Sequence, residues 1–254
     1  MISWALIGSI VGTVLGLTGA GGAVIAVPLF IHLAGASLQD ATVFSLVAVF
    51  ISAVLGWIFQ RKNTDVSVGV FTAVFSFLGS ALTIGFKQNS PLWLIQALFI
   101  GICTFSLLTI WKKKSASKSG LGRSMPMTAK RSLLASVSGV FLGALTTMTG
   151  LGGGVVLVPW LSGPMKLPLN RAIATSLFTI VFASLGSLLV QSAKISEKID
   201  PLLIAALAMG SVIAALVIKY GVARLQPQTA DRLRKVVLTL VIVLSILGLV
   251  LKSQ

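Results

Sequence analysis

Apolar segments separated by short polar or charged breaks follow one another along almost the whole chain. A helix needs about 20 residues to cross about 30 Å of hydrocarbon, and several of the segments have that length. The pattern therefore predicts an all-α polytopic membrane protein with about ten helical segments. These run approximately over residues 2–17, 22–34, 41–59, 66–86, 91–111, 132–148, 154–163, 169–190, 201–220 and 234–251.

The second half of the chain repeats the first at an offset of 131 residues. An internal repeat of this kind divides the fold into two similar units. We assign residues 1–111 to a first transmembrane repeat, 112–131 to a basic, Ser/Lys-rich linker, and 132–254 to a second repeat. The matched pairs include Gly8 and Gly139, Gly12 and Gly143, Thr18 and Thr149, Gly22 and Gly153, Pro28 and Pro159, Ser45 and Ser176, Gln60 and Gln191, and Ser80 and Ser211.

Each repeat contains one glycine-rich stretch inside an apolar segment, TGAGG at 18–22 and TGLGGG at 149–154. Glycine weakens a helix by about 1 kcal/mol per residue, so both stretches predict a broken helix. A broken backbone at membrane depth is tolerated where it is buried in protein or lines a cavity. Matching breaks in two repeats are therefore the best sequence pointer to a transport site. The alternative is that both breaks only pack tightly and bind nothing.

The distribution of basic residues distinguishes two topologies. Segment 22–34 is too short to span the bilayer, so residues 2–34 form either one kinked crossing or a re-entrant hairpin. Kinked crossings divide the Lys and Arg residues 12 to 8 between the two sides, whereas hairpins divide them 16 to 4. The positive-inside rule favours the hairpins. Each half then has a re-entrant helical hairpin plus three transmembrane helices, the two repeats are inverted, the linker is cytoplasmic, and both termini are non-cytoplasmic.

Composition excludes several function classes. The chain is 56% hydrophobic and 10% charged, and the bases behind its formal charge of +15 lie between apolar runs rather than on a nucleic-acid-binding face. Cys103 and His32 are the only residues of their types, so paired-cysteine sites, histidine metal clusters and a Ser/His/Asp set are excluded. All five acids fall at segment ends, which argues against a relay of buried carboxylates. We expect neither an enzyme nor a bound metal or cofactor.

The start of a new helix after each break is suited to an anion. The first N–H groups of a helix have no partner within it, its dipole end is positive, and glycine lets an anion approach the backbone. In an inverted repeat the two hairpin tips meet near the midplane. The candidate substrate-binding residues are Thr18, Gly19, Gly21, Gly22, Ala23, Ser45, Thr149, Gly150, Gly152, Gly153, Gly154, Val155, Thr175 and Ser176.

Some of these side chains have an equally simple structural interpretation. Thr18 and Thr149 could cap the new helix, and the hydroxyls of Ser45, Thr175 and Ser176 could bond their own helix backbone. Arg171 either attracts anions into a vestibule or only sets topology. The roles of Gln60 and Gln191 stay open, because both an access route and a helix interface fit their positions near segment ends.

The paired motifs TGAGGAVIAVP and TGLGGGVVLVP, with the Ala41–Leu46 and Ala174–Leu177 stretches that follow them, resemble the sulfite exporter TauE/SafE family over nearly the whole chain. The resemblance implies a multi-pass protein of a bacterial or archaeal plasma (inner) membrane that carries sulfite, thiosulfate, sulfate or a small organosulfonate such as sulfoacetate. Ala23 stands where the second copy has Gly154, so we expect unequal half-sites with more polar contacts in the second.

We therefore expect a secondary transporter that moves such an anion by alternating access and holds it at the two hairpin tips. The alternatives are an anion channel of the same family and a membrane scaffold subunit that transports nothing. The sequence leaves open which anion is moved, the direction, any coupling ion, and whether the protein is a homodimer.

Overall fold

The computed structural model describes residues 2–18, 22–91, 93–98, 100–102, 104, 128–150, 152–191, 201–220, 239 and 243. Within these ranges the chain is helical apart from short connections, as the apolar pattern predicts. The longer helices are α1 (Ile2–Thr18), α2 (Gly22–Leu33), α3 (Leu38–Gln60), α4 (Val66–Asn89), α5 (Ala129–Thr149), α6 (Gly154–Ser162), α7 (Leu169–Val190) and α8 (Pro201–Tyr220).

Four stretches of the described chain are long and apolar enough to cross a membrane: Gln39–Asn63, Val66–Thr83, Arg131–Thr149 and Leu169–Val190. Together with the helical secondary structure, they confirm the prediction of a helical membrane protein. About half of the predicted segment 91–111, and most of segment 234–251 and of the linker 112–131, lie outside the described residues. The described end of that linker is helical, because α5 begins at Ala129 rather than at 132.

The helices α5 and α6 form a hairpin. The Arg131 guanidinium, in the first turn of α5, donates to the carbonyl of Met165, three residues after α6 ends. Leu157 and Leu161 of α6 share a buried cluster with Leu142 of α5. The chain therefore returns to the end at which α5 began. The arms are unequal, since the 21 residues of α5 extend about 31 Å and the nine of α6 only about 14 Å.

Helices of one half of the chain pack against helices of the other half through close contacts at glycines. From the first half, α4 packs along α5 of the second, where Gly143 approaches the backbone of Ser76 too closely for any side chain to fit. From the second half, α8 packs along α1 of the first, where a Cβ on Gly8 would lie 2.6 Å from the carbonyl oxygen of Leu207. Small residues let helices approach closely in this way. Leu207 matches Ser76 at the repeat offset, but Gly8 matches Gly139 rather than Gly143, so the two helix pairs are equivalent while their closest contacts differ by one turn.

The centre of the protein is formed by α3 packed against α7, and α7 also packs against α4. Hydroxyl pairs on α4 and α7, Thr72 with Thr179 and Ser80 with Ser187, have the same separation of 107 residues, so these two helices run parallel. At one end of the pair, Thr175 of α7 contacts Asp65, which precedes α4. The other end of α7 reaches the region where α5 ends.

Candidate functional site

The second glycine-rich stretch forms the tip of the α5–α6 hairpin. After Thr149 ends α5, Gly150 adopts a left-handed conformation (φ 72°) and donates its N–H to the carbonyl of Thr146. Gly152 and Gly153 are also left-handed, with φ of 62° and 60°, and α6 begins at Gly154. Residues with a Cβ rarely adopt this conformation. The glycines therefore allow the chain to reverse within four residues, and the predicted break in the second repeat is confirmed.

The start of α6 presents unpaired backbone donors. The carbonyl of Gly153 accepts from the N–H groups of Val156 and Leu157, at 3.1 Å each. In the described part of the chain, by contrast, no hydrogen bond is donated by the N–H of Gly152, Gly153 or Gly154, and all three residues are buried. A left-handed residue followed by a right-handed one makes a concave nest of N–H groups that binds anions. At Gly153 and Gly154 this nest coincides with the positive end of a helix.

Thr146 adds a hydroxyl group to the same place. Its side chain is 0% exposed, and Oγ1 has no hydrogen-bond partner among the described residues. A Cβ on Gly153 would lie 3.1 Å from this oxygen, so the hydroxyl is directed at the start of α6. A buried hydroxyl without a partner is costly, and such a group marks a place where a polar ligand fits.

The serine Ser184 of α7 is a second buried hydroxyl without a partner among the described residues. It precedes Ser187 by almost one turn, and Ser187 shares a 2.8 Å hydrogen bond with Thr147, the residue after Thr146. Ser184 and Thr146 therefore lie at similar depth in the interface between α5 and α7. Neither was among the residues that sequence reasoning selected.

The tip of the hairpin is attached to the first half of the chain through Ser45. Its hydroxyl donates to the carbonyl of Gly150 at 2.9 Å and also lies 2.9 Å from the carbonyl of Thr42. The hydroxyl therefore bonds its own helix, which was one of the two interpretations, and it also bonds the tip, whereas contact of Ser45 with a substrate stays a prediction. Ser45 is the eighth of the 23 residues of α3, so this contact lies about 6 Å from the midpoint of that helix.

The side chain of Thr149 lies beside the break but bonds its own helix. Its hydroxyl donates to the carbonyl of Leu145 at 2.7 Å. Thr146, one turn earlier on α5, has the hydroxyl that faces Gly153. The sequence feature that could have pointed to Thr146 is the run TTMT at 146–149, which places three threonine hydroxyls within about one turn of the break. The backbone of Val155, the second residue of α6, belongs to the same tip.

The structure places Thr175 and Ser176 away from this tip. Thr175 accepts a hydrogen bond from the N–H of Asp65 at 3.0 Å, and Ser176 Oγ lies 2.9 Å from the carbonyl of Ile173. Thr175 precedes Ser187 by 12 residues of α7, which is about 18 Å. A role for either residue at the first tip stays a prediction.

The first tip lies mostly outside the described part of the chain. Gly19 and Gly21 are outside it, and so are the side chains of Thr18 and Ala23. What is described is that α1 ends at Thr18 and α2 begins at Gly22, so a break between two helices is confirmed there.

Hydroxyl groups line the interface of α4, α5 and α7 along most of its length. Thr72 and Thr179 are 2.7 Å apart, Ser187 donates to Ser80 at 3.2 Å, and the Gln191 amide donates to the carbonyl of Ser187 at 3.0 Å. At the repeat offset, the positions equivalent to Thr72 and Thr179 are the apolar residues Leu203 and Ala48. Among the described residues, the second tip therefore lies on the more polar side of the molecule.

Of the two acids in the described ranges, Asp40 and Asp65, only Asp65 has an environment that the sequence did not anticipate. It lies at a segment end, as predicted, and its Oδ1 accepts from the N–H of Val68 as a helix cap. Nevertheless it is only 6% exposed, and its Oδ2 has no hydrogen-bond partner among the described residues. Its burial results from α7, which covers the start of α4.

Comparison with known proteins is consistent with this architecture. The family model described as "Sulfite exporter TauE/SafE" matches residues 4–247. A probable membrane transporter protein of Methanocaldococcus jannaschii is 26% identical over 198 residues, covering 72% of this chain and 69% of its own length. A probable membrane transporter protein of Xylella fastidiosa is 28% identical over 181 residues, covering 68% and 67%. No solved structure matches. With a family model matching nearly its whole length, the chain belongs to the sulfite exporter TauE/SafE family.

Proposed function

We propose that this protein is a secondary transporter that moves a sulfur-containing anion, sulfite or a small organosulfonate such as sulfoacetate, across the plasma (inner) membrane by alternating access. Family membership and the four apolar spans support a multi-pass membrane transporter. The substrate and the mechanism are the proposal.

The observation that carries the proposal is the set of buried donors at the start of α6. The N–H groups of Gly152, Gly153 and Gly154 and the hydroxyl of Thr146 all belong to this tip, and none has a hydrogen-bond partner among the described residues. Donors of this kind suit an oxyanion, because each oxygen accepts several hydrogen bonds and charge-assisted bonds are the stronger ones. The tip also contacts α3 about 6 Å from the midpoint of that helix.

The way the tip is held supports alternating access as the proposed mechanism. Ser45 joins the tip of the second repeat to α3 of the first, so a rocking of one half against the other opens or closes the site at this hydrogen bond. In the proposed topology the linker 112–131 is cytoplasmic and both termini are not. The membrane potential, negative inside, favours exit of the anion, and the direction follows the combined gradient.

The test is transport by purified protein in proteoliposomes, comparing Thr146→Val with wild type. Valine keeps the shape of threonine and removes the hydroxyl. A hydrogen bond to a charged group contributes about 1.5–3 kcal/mol, so we expect transport at low substrate to fall by about 10-fold to 100-fold. The matched control is Thr83→Val, whose hydroxyl bonds only the carbonyl of Gly79 in its own helix and which should transport like wild type.

The same assay separates the alternatives. Saturation and counterflow indicate a carrier, whereas a rate that rises linearly with concentration and shows no counterflow indicates a channel. A scaffold subunit transports nothing and gains no thermal stability from sulfonates. If Thr146→Val transports like the control, the anion does not bind at this tip.

A further inference from the structure

Ser184 carries a buried hydroxyl that contacts within the described chain do not satisfy. Its side chain is 0% exposed, and its Oγ has no hydrogen-bond partner among the described residues. Other serines in these helices bond a carbonyl of their own helix, as Ser176 does with Ile173 at 2.9 Å. A buried hydroxyl without a partner costs free energy, so a ligand that accepts a hydrogen bond from Ser184 would recover that cost.

The helices α5 and α7 lie side by side and run in the same direction near this serine. Ser80 Oγ of α4 lies 3.3 Å from the carbonyl oxygens of both Gly143 on α5 and Ala183 on α7. One turn further on, the hydroxyls of Thr147 and Ser187 are 2.8 Å apart. The residues of both pairs are 40 positions apart in the chain, so the two helices are parallel and these residues lie level with each other.

The hydroxyls of Thr146 and Ser184 point to the same side of this helix pair. Thr146 precedes Thr147 by one residue, which is a turn of about 100° around α5. Ser184 precedes Ser187 by three residues, or about 300°, which is equivalent to about 60° in the opposite sense around α7. Side chains that are turned in opposite senses from the contact line of two parallel helices point to one side of the pair.

That side is the one on which α6 begins. Thr146 Oγ1 lies 3.1 Å from the Cβ position of Gly153, immediately before α6, and α6 also packs against α7. The helix α4 lies on the opposite side, where a Cβ on Gly186 would be 3.0 Å from the ring of Phe77. Ser184 is two residues from Gly186, about 200° around α7, and therefore faces away from α4.

The two hydroxyls are carried by different helices and do not bond each other. Packed helices lie about 8–10 Å apart, so a gap separates two side chains that point to the same side of the pair. A sulfite or sulfonate group has three oxygens around one sulfur and can accept hydrogen bonds from more than one direction. Such a group can therefore bridge donors that cannot reach each other.

We propose that Ser184 is a further substrate-binding residue, whose hydroxyl donates to a second oxygen of the anion held by Thr146 and the N–H groups of the tip. The inference rests on the proposed function and adds a second helix, α7, to its site. The bound anion would then connect the hairpin tip to α7. At the repeat offset, the positions equivalent to Thr146 and Ser184 are Leu15 and Ala53, so this pair of hydroxyls occurs only in the second half.

The test compares Ser184→Ala with the matched control Ser138→Ala, whose hydroxyl bonds the carbonyl of Ala135 in its own helix at 2.9 Å. Calorimetry on the purified full-length variants in detergent measures binding of sulfite and of sulfoacetate. We expect Ser184→Ala to bind the anion about 10-fold to 100-fold more weakly than wild type, as for the loss of a hydrogen bond to a charged group, and Ser138→Ala to bind like wild type.

The thermal transition without ligand separates binding from a structural role. Because the hydroxyl of Ser184 has no partner among the described residues, its removal should leave this transition unchanged or raise it. A hydroxyl that mainly stabilises the fold would instead lower the transition of Ser184→Ala below that of Ser138→Ala, and this result would overturn the inference.

The remaining outcomes distinguish the inference from the proposed function. If Thr146→Val weakens binding but Ser184→Ala binds like Ser138→Ala, Ser184 does not contact the anion, while the proposed function stands. If folded wild-type protein neither binds nor transports sulfite or sulfoacetate, the proposed function fails and the inference fails with it.

Discussion

Replacement of Gly150 by alanine tests whether the second tip is docked on the first half of the chain. Gly150 is left-handed, and a Cβ at this position would lie 2.6 Å from Ser45 Oγ and 2.9 Å from the carbonyl oxygen of Thr42. The carbonyl belongs to the backbone of α3, so it cannot yield as the end of a flexible side chain would. The substitution therefore introduces both backbone strain and a steric overlap between the two halves.

Two other glycines separate these effects. Gly35 has the same left-handed backbone (φ 64°) with nothing within 4 Å of its Cβ position, so Gly35→Ala introduces strain alone. Gly85 lies within α4, also with open space around it, so Gly85→Ala introduces neither. Left-handed backbone costs a non-glycine residue about 1–2 kcal/mol, and overpacking a tight contact costs about 1–3 kcal/mol more.

We expect Gly85→Ala to be neutral or slightly stabilising, Gly35→Ala to lower the free energy of unfolding by about 1–2 kcal/mol, and Gly150→Ala to lower it by about 2–5 kcal/mol. Denaturant unfolding of the three purified variants in one detergent measures these differences. Equal stabilities of Gly150→Ala and Gly35→Ala would refute the docking of the tip on α3, because only the overlap distinguishes them. Sulfoacetate should also stabilise Gly150→Ala less than it stabilises Gly35→Ala.

Two further substitutions test other parts of the polar interior by the same unfolding measurement. Asp65→Ala removes the acceptor for the Val68 N–H and should lower the free energy of unfolding by about 0.5–2 kcal/mol. Asp65→Asn keeps an acceptor oxygen and should lower it by less. Equal losses in the two variants would show that Asp65 does not stabilise the protein as a helix cap. A double-mutant cycle between Thr147→Val and Ser187→Ala should give a coupling energy of about 0.6 kcal/mol, typical of hydroxyl pairs between membrane helices, and no measurable coupling would contradict their hydrogen bond.

Much of the helical architecture could be predicted because it depends on local properties of the sequence. The apolar run 169–190 coincides with α7, and the two glycine-rich stretches fall where helices end and restart. Each helix break could be predicted because a stretch of low helix propensity separates two apolar runs. The contact of Gly8 with α8 agrees with the rule that small residues let membrane helices approach closely, but the sequence alone did not identify the partner helix.

The details of the site depend on tertiary contacts that no local pattern encodes. Thr149 is nearest to the break in sequence, yet Thr146 faces Gly153, because a side chain on a helix is directed by its position around the turn. Asp65 lies at a segment end in the sequence, and only the packing of α7 over that end buries it. Thr175 follows the second tip in the repeat pattern, but the parallel pairing of α4 and α7 places it beside Asp65.

The packing of α4 on α5 and of α8 on α1 makes each half of the chain depend on the other for its helix contacts. The groove along α5 that Gly139 and Gly143 keep open is filled by α4, and the groove at Gly8 on α1 is filled by α8. In each case the helix that fills the groove comes from the other half of the chain. A single repeat on its own would therefore leave its groove exposed to lipid. Among the described residues, each half therefore supplies a helix that completes the packing of the other half.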